Sequence, residues 1–186
     1  MVTQAGQARL AGTGAGAGTG LDPVTVARAI AAAVPDPELP MVTVADLGIL
    51  RDVAAEGERL VVTITPTYSG CPALREIASD LRHRLRQAGF AEVTVRTALA
   101  PAWSSDWITA EGRRKLQAAG IAPPHAASRN PGPIPLTLTA TRRVPVACPR
   151  CGSRDTTRTA AFSATACKAL FRCESCREPF EYVKEI

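Results

Sequence analysis

Thr67-Tyr68-Ser69-Gly70-Cys71-Pro72 lies between two stretches of opposite periodicity. Before it, Leu60, Val62 and Ile64 alternate with Val61, Thr63 and Thr65, the period of a strand. After it, Leu74, Ile77, Ala78, Leu81, Leu85 and Ala88 recur at helical spacing, and Gly89 follows as a stop. Val93, Val95, Thr97 and Leu99 then share one face of a further strand. Strand, helix and strand in this order predict a right-handed crossover with the two strands parallel. A thiol therefore stands where strand hands over to helix. Cys71 is read as the helix N-cap and Pro72 as the first helical residue, where a missing N–H costs nothing. Gly70 is read as the residue that lets the chain turn sharply. Free amides and the positive end of the dipole at a helix start favour a thiolate. The competing reading is a half-buried cysteine that only packs, since free cysteine is among the most buried residue types.

Working outward, Asp22 and Pro23 form a helix start, and Val24, Ala27, Ile30, Ala31 and Val34 recur at helical spacing. Pro35-Asp36-Pro37 ends that helix, because a residue before proline is pushed out of the α region. Met41 to Gly48 reads as a shaped loop, Ile49 to Val53 as a strand, and Ala55 to Glu58 as a hairpin connection. Residues 1–20 are Gly, Ala, Thr and Gln with little apolar bulk, which predicts a disordered tail. Downstream, Pro101 to Ile108 carries both tryptophans, either as a cover for the core or as a docking surface. Thr109 caps a short helix with Leu116 and Ala119 inward and Gly120 as its stop. Prolines at 122–142 predict a linker between an α/β domain at 21–121 and a small domain at 143–186.

The small domain carries a metal-site spacing. Cys148-Pro-Arg-Cys151-Gly and Cys173-Glu-Ser-Cys176 are two C-x-x-C knuckles separated by 21 residues. Two such turns close a tetrahedral shell of four thiolates, as in a zinc ribbon. Residues 143–186 are too few to fold on their own core, so the metal supplies much of the stability. A closed shell leaves no open position, so Zn²⁺ here is structural; a rubredoxin-like iron site is the alternative. Cys167 is the odd thiol. It reads as a small buried residue on a ribbon strand, or as a redox thiol or alternative ligand whose pKa Lys168 lowers.

Composition narrows the function. Hydrophobic residues make up 46% of the 186 and aromatics only 4%, so aliphatic side chains must fill the core. The net charge of +5 is carried mostly by arginine spread along the chain, which is weak evidence for nucleic-acid binding. No apolar run matches a membrane span, and no signal peptide is recognisable. A cytoplasmic protein is expected, with its six cysteines used for metal or thiol chemistry rather than disulfides.

The run Pro35-Asp36-Pro37-Glu38-Leu39-Pro40, the segment Val44-Ala45-Asp46-Leu47-Gly48 and the run from Thr65 to Pro72 together resemble the MIP18 (DUF59) family. Pro101-Ala102-Trp103, Asp106-Trp107-Ile108-Thr109, the stretch from Phe162 to Cys173 and Arg177-Glu178-Pro179-Phe180 narrow the resemblance to the PaaD (also PaaJ) subunits of the phenylacetyl-CoA epoxidase system. It covers residues 22 to 186. The resemblance implies an α+β fold, a small α-β-β-α-β-α domain followed by a zinc ribbon. It implies an accessory or maturation role in aerobic phenylacetate degradation, tied to iron–sulfur cluster assembly. The implied partners are a di-iron oxygenase subunit and a reductase carrying flavin and an iron–sulfur cluster. Cys71, Asp46, Thr67 and Ser69 become the candidates for handling a transient Fe–S cluster. One thiol is too few to hold a cluster, so a homodimer or a partner's ligands would complete it.

The residues themselves argue against catalysis by this chain alone. A di-iron site needs several carboxylates and Glu-x-x-His spacing, but the two histidines, His83 and His125, lack a glutamate three residues earlier. No Rossmann glycine fingerprint is present. A thiol enzyme at Cys71 lacks a partner base. A non-catalytic subunit whose ribbon and tryptophan loop dock other epoxidase subunits is the second functional reading. A third is nucleic-acid binding by the ribbon through Arg142, Arg143, Arg150, Arg154, Arg158 and Arg172, although neither nucleic acid nor membrane is an expected partner.

Overall fold

Parallel pairing across the Cys71 turn builds the larger sheet. The computed structural model describes residues 22–68, 70–126 and 145–186. The tail expected at 1–20, Ser69, Arg142, Arg143 and most of the expected linker lie outside them. Helix α1 (Pro23–Ala32) starts as read: the Asp22 carboxylate accepts the Thr25 N–H at 3.1 Å. Ala27, Ala31 and Val34 are fully buried along its inner side. Strands β1 (Leu50–Glu56) and β2 (Arg59–Ile64) pair antiparallel. The hairpin turn is tighter than expected, only Gly57 and Glu58, because Gly57 takes a left-handed φ of 63° and lets pairing run to Glu56. Strand β3 (Val93–Thr97) pairs parallel with β2, giving the order β1-β2-β3. It stops short of Leu99, which is 63% exposed rather than inward.

Between β2 and β3 runs α2 (Ala73–Gln87). Ala73, Ile77, Leu81 and Leu85 form its buried line, one turn apart, and Leu74 and Ala78 flank it. The helix begins later than the sequence suggested. Pro72 is the cap, with no side-chain cap hydrogen bond, and Cys71 lies one residue outside. The Cys71 N–H is taken by the Tyr68 carbonyl at 3.2 Å. Gly70 is not among the left-handed glycines, so no special φ explains it.

Both tryptophans face inward. Trp103 Nε1 donates to the Leu47 carbonyl at 2.9 Å, and the Arg51 guanidinium lies 3.6 Å from the Trp107 ring centroid. The tryptophan loop thus covers the core, and the docking reading loses these side chains. Helix α3 (Ala110–Ala118) is capped by Thr109, whose hydroxyl accepts the Gly112 N–H at 2.9 Å. Leu116 is buried, but Ala119 is exposed beyond the helix end, where Gly120 turns the chain at φ 78°.

The second sheet has the order β4-β7-β6-β5, from β4 (Ile121–Ala122), β5 (Thr156–Ala160), β6 (Lys168–Cys173) and β7 (Pro179–Val183). Strand β4 pairs parallel with β7, so the sheet of the small domain takes in the end of the first domain. Phe171 stacks on Phe180 and meets Tyr182 edge-on within the smaller core. Val183, at the end of β7, packs into the larger core, and the Ser105 N–H donates to the Ile186 carbonyl at 3.1 Å.

Gly48 pins the loop before β1 beneath the tryptophans. Its φ is 68°, and a Cβ there would stand 2.5 Å from Trp107 Cβ and 2.7 Å from the Trp107 carbonyl oxygen. Gly48→Ala therefore forces both an unfavourable φ and an overlap with backbone. A loss of about 2 kcal/mol is expected, read as a lower urea midpoint with an unchanged slope. An unchanged midpoint would show that the loop relaxes freely.

Candidate metal centre and thiol cavity

The two knuckles bring Cys148, Cys151, Cys173 and Cys176 together, with all four sulfurs within 4.8 Å of one another. The first turn is closed by the Gly152 N–H donating to the Cys148 carbonyl, with Gly152 at a left-handed φ of 76°. The second has Arg177 in that region, at φ 64°. Cys148 and Cys176 Sγ are 3.8 Å apart, and Cys151 and Cys173 Sγ are 3.5 Å apart. The sulfur–sulfur edge of a tetrahedral shell with Zn–S of ~2.3 Å is about 3.8 Å, so the donor set fits. The charges also call for a cation. The Cys176 N–H, with the Cys151 sulfur and the Ser175 N–H, holds Cys173 down to about 6 against burial. Cys176 accepts from the Glu178 N–H, yet burial and the three neighbouring sulfurs push it up to about 12. One sulfur ionises at the expense of another until a metal neutralises the group.

Cys71 faces different surroundings. It lines a cavity of about 30 Å³ together with Asp36, Glu38, Thr67 and Cys167. Leu47, Ile49, Trp103 and Val183 supply apolar wall. Burial raises the Cys71 pKa; the amides of Ala73 and Leu74 pull it down, but Glu38 and Asp36 push it up further. The thiolate expected from the helix start is therefore overturned. Desolvation and two nearby carboxylates outweigh the helix amides.

Cys167 is half-buried in the turn before β6, not on the strand. Burial raises its pKa as well, with the Thr165 hydroxyl 3.1 Å from its sulfur as the main opposing contact. Lys168 does pull it down, as expected, but burial outweighs that pull and the Glu38 carboxylate adds to the rise. Asp36 is raised by burial, although its Oδ1 accepts the N–H groups of Glu38 and Leu39 at 2.9 Å each. Glu38 is raised by burial and by Asp36.

Asp46 does not line this cavity. Its carboxylate accepts the Thr43 N–H at 3.0 Å and pairs with Lys115 at 2.7 Å, while its own N–H donates to the Thr43 hydroxyl. Gly112 of α3 presses so closely that a Cβ there would stand 2.7 Å from the Asp46 carbonyl oxygen. Asp46 therefore locks the loop before β1 onto α3, and the neighbouring carboxylates of Cys71 are Asp36 and Glu38. Sequence reading missed those two as site residues, although Pro35-Asp36-Pro37-Glu38 was visible as a motif. It also missed the meeting of Cys71 with Cys167, for which no local pattern exists.

Two family models match: the iron-sulfur cluster assembly protein model over residues 25–97 and the PaaD zinc beta ribbon domain model over residues 133–184. The chain is 44% identical over 156 residues to an Escherichia coli (strain K12) protein named as a subunit of 1,2-phenylacetyl-CoA epoxidase, covering 84% of this chain and 89% of that one. The chain belongs to the PaaD family. Among solved structures, a DUF59 domain from Bacillus anthracis is 32% identical, with a TM-score of 0.47, covering 50% of this chain and 91% of that one. A Mycobacterium tuberculosis protein associated with Fe–S complex assembly and repair is 31% identical, with a TM-score of 0.32, covering 59% and 98%. The α+β class and the ribbon read from the sequence stand, and among the described residues no helix is long and apolar enough to cross a membrane.

Two outcomes follow from the geometry of this PaaD-family chain. Cys173→Ser should abolish stoichiometric metal in the purified protein and remove hydrogen-exchange protection from β5–β7 while leaving β1–β3 protected. Retained metal would show that three sulfurs suffice. Burial alone would raise the Asp46 pKa, but Lys115 and the Thr43 N–H more than offset it and hold it low. Its stabilisation is thus complete above the unfolded carboxyl pKa of about 3.9 and is lost as pH falls through the lower folded value. The destabilisation of Asp46→Asn, measured by urea unfolding, should be constant near neutral pH and shrink below about pH 4. A penalty independent of pH down to the acid limit would show that charge is not what Asp46 contributes.

Proposed function

We propose that this chain is an accessory subunit of a phenylacetyl-CoA epoxidase system and serves in metal-centre maturation through Cys71, with Zn²⁺ in the ribbon as a structural ion. The observation that carries the reading is the enclosure of Cys71, in the part of the chain matched by the iron-sulfur cluster assembly model, by a second thiol and two carboxylates. The partners are the di-iron oxygenase and the Fe–S and flavin reductase of that system. The S₄ shell has no open position for cargo, so the ribbon holds the fold and Cys71 does the handling. Thr67 shares the cavity wall and positions the approach to the thiol.

The test is co-production of the epoxidase subunits with wild type or Cys71→Ala. The variant should keep its ribbon metal and its far-UV spectrum. Epoxidation of phenylacetyl-CoA and the iron content of the purified oxygenase and reductase should fall by about tenfold or more. Full activity and full iron in the presence of folded Cys71→Ala would refute the maturation role and leave a scaffold function.

A further inference from the structure

We propose that Cys71 and Cys167 are paired ligands of one transfer site for a single thiophilic divalent transition-metal ion, seated in the cavity where the ribbon meets the α/β domain. The inference deepens the maturation reading, on which it rests for the purpose of the ion but not for its binding. Both thiols line the same cavity, although one comes from the turn before α2 and the other from the turn before β6. Both are half-buried, so an ion can reach them without global unfolding.

Asp36 and Glu38 line the cavity with the two thiols, against one ammonium in the lining, that of Lys184. Lys184 Nζ donates to the Ala166 carbonyl at 2.7 Å and lies 3.9 Å from the Phe162 ring centroid, and Lys168 Nζ nearby is bonded to Glu181 at 2.8 Å. Asp36 is only 6% exposed, and its hydrogen bonds from the described residues all go to Oδ1, which leaves Oδ2 without a donor among them. Two soft sulfurs beside two carboxylates suit a borderline-soft cation, the sulfurs as ligands and the carboxylates as neighbouring negative charge.

Size and ligand count define the cargo. The space of about 30 Å³ beside the thiols admits one ion, and two thiols are too few to hold an iron–sulfur cluster. Among the described residues only the ribbon gathers three or more metal-type donors within 4.8 Å of one another. The Cys71–Cys167 shell is therefore incomplete, and its open positions are where an acceptor's ligands would enter. A closed shell retains its ion, whereas an open one exchanges it. On binding, each sulfur loses its proton to solvent as the metal–sulfur bond forms, so one M²⁺ replaces two protons and no electrons move.

Cobalt(II) is the probe, added anaerobically to reduced full-length protein whose ribbon already holds zinc. Wild type should show thiolate-to-cobalt charge-transfer absorbance without releasing zinc, and the binding should tighten as pH rises. Cys71→Ala and Cys167→Ala should each weaken it about tenfold or more, with zinc content and far-UV spectrum unchanged. Absence of the band in wild type, release of zinc in step with the band, or wild-type binding by Cys167→Ala would overturn the site. Normal cobalt binding in wild type together with full epoxidase maturation by Cys71→Ala would keep the site and refute the maturation reading. Lost maturation in Cys71→Ala, with cobalt binding that neither substitution weakens, would do the reverse.

Discussion

The return of β7 against the α/β domain is the constraint on which the joining of the two sheets and the wall of the Cys71 cavity depend. β7 is paired on one side with β6 and on the other, parallel, with β4 at the end of α3. Its last residue, Val183, sits in the larger core, and the chain beyond it is held by the Ser105 N–H on the Ile186 carbonyl. Arg113 of α3 ties the same region together, donating to the carbonyls of Ser105 and Pro124. Strand β7 starts at Pro179, three residues after the last knuckle cysteine. The metal shell thus fixes the start of the strand whose far end walls the Cys71 cavity. One strand thus joins the four-cysteine cluster to the cavity of the thiol in the other domain.

That dependence shows which parts of the molecule were legible in the sequence. Features set by neighbours along the chain read well. The period of two in β2, the stripe of α2 and the caps at Asp22 and Thr109 are local, and C-x-x-C places two sulfurs by turn geometry alone. Features set by what folds back against a segment did not read well. Ala119 and Leu99 continued their apolar pattern in sequence, but no described segment returns to cover them and both are exposed. Val61 was expected opposite the core face of β2, yet it too is buried. The pairing of β4 with β7 had no signal at all, since two residues make no pattern.

Cys71 shows the same division in its chemistry. A helix start favours an anion when the amides are the only charges near it. Here the thiol is half-buried, one residue before the cap, and two carboxylates stand on its cavity. The local rule was sound and the tertiary terms were larger. Asp46, a candidate through the family resemblance, is set apart from Cys71 by the converse cause: α3 brings Lys115 to its carboxylate, at 2.7 Å.

The chain thus holds its thiols in two electrostatic regimes. In the ribbon, four sulfurs lie near contact, and amide donors hold the Cys173 pKa down, an arrangement that suits a cation. In the cavity, burial and the neighbouring acids keep Cys71 and Cys167 protonated, and a protonated thiol is a poor nucleophile and resists oxidation. Such thiols stay inert until a positive charge arrives to displace their protons. A group that is unreactive when empty and releases its ion when protons return suits passage of a metal better than storage of one. The same desolvation that makes Cys71 a poor enzyme nucleophile would let protons compete with an ion bound there.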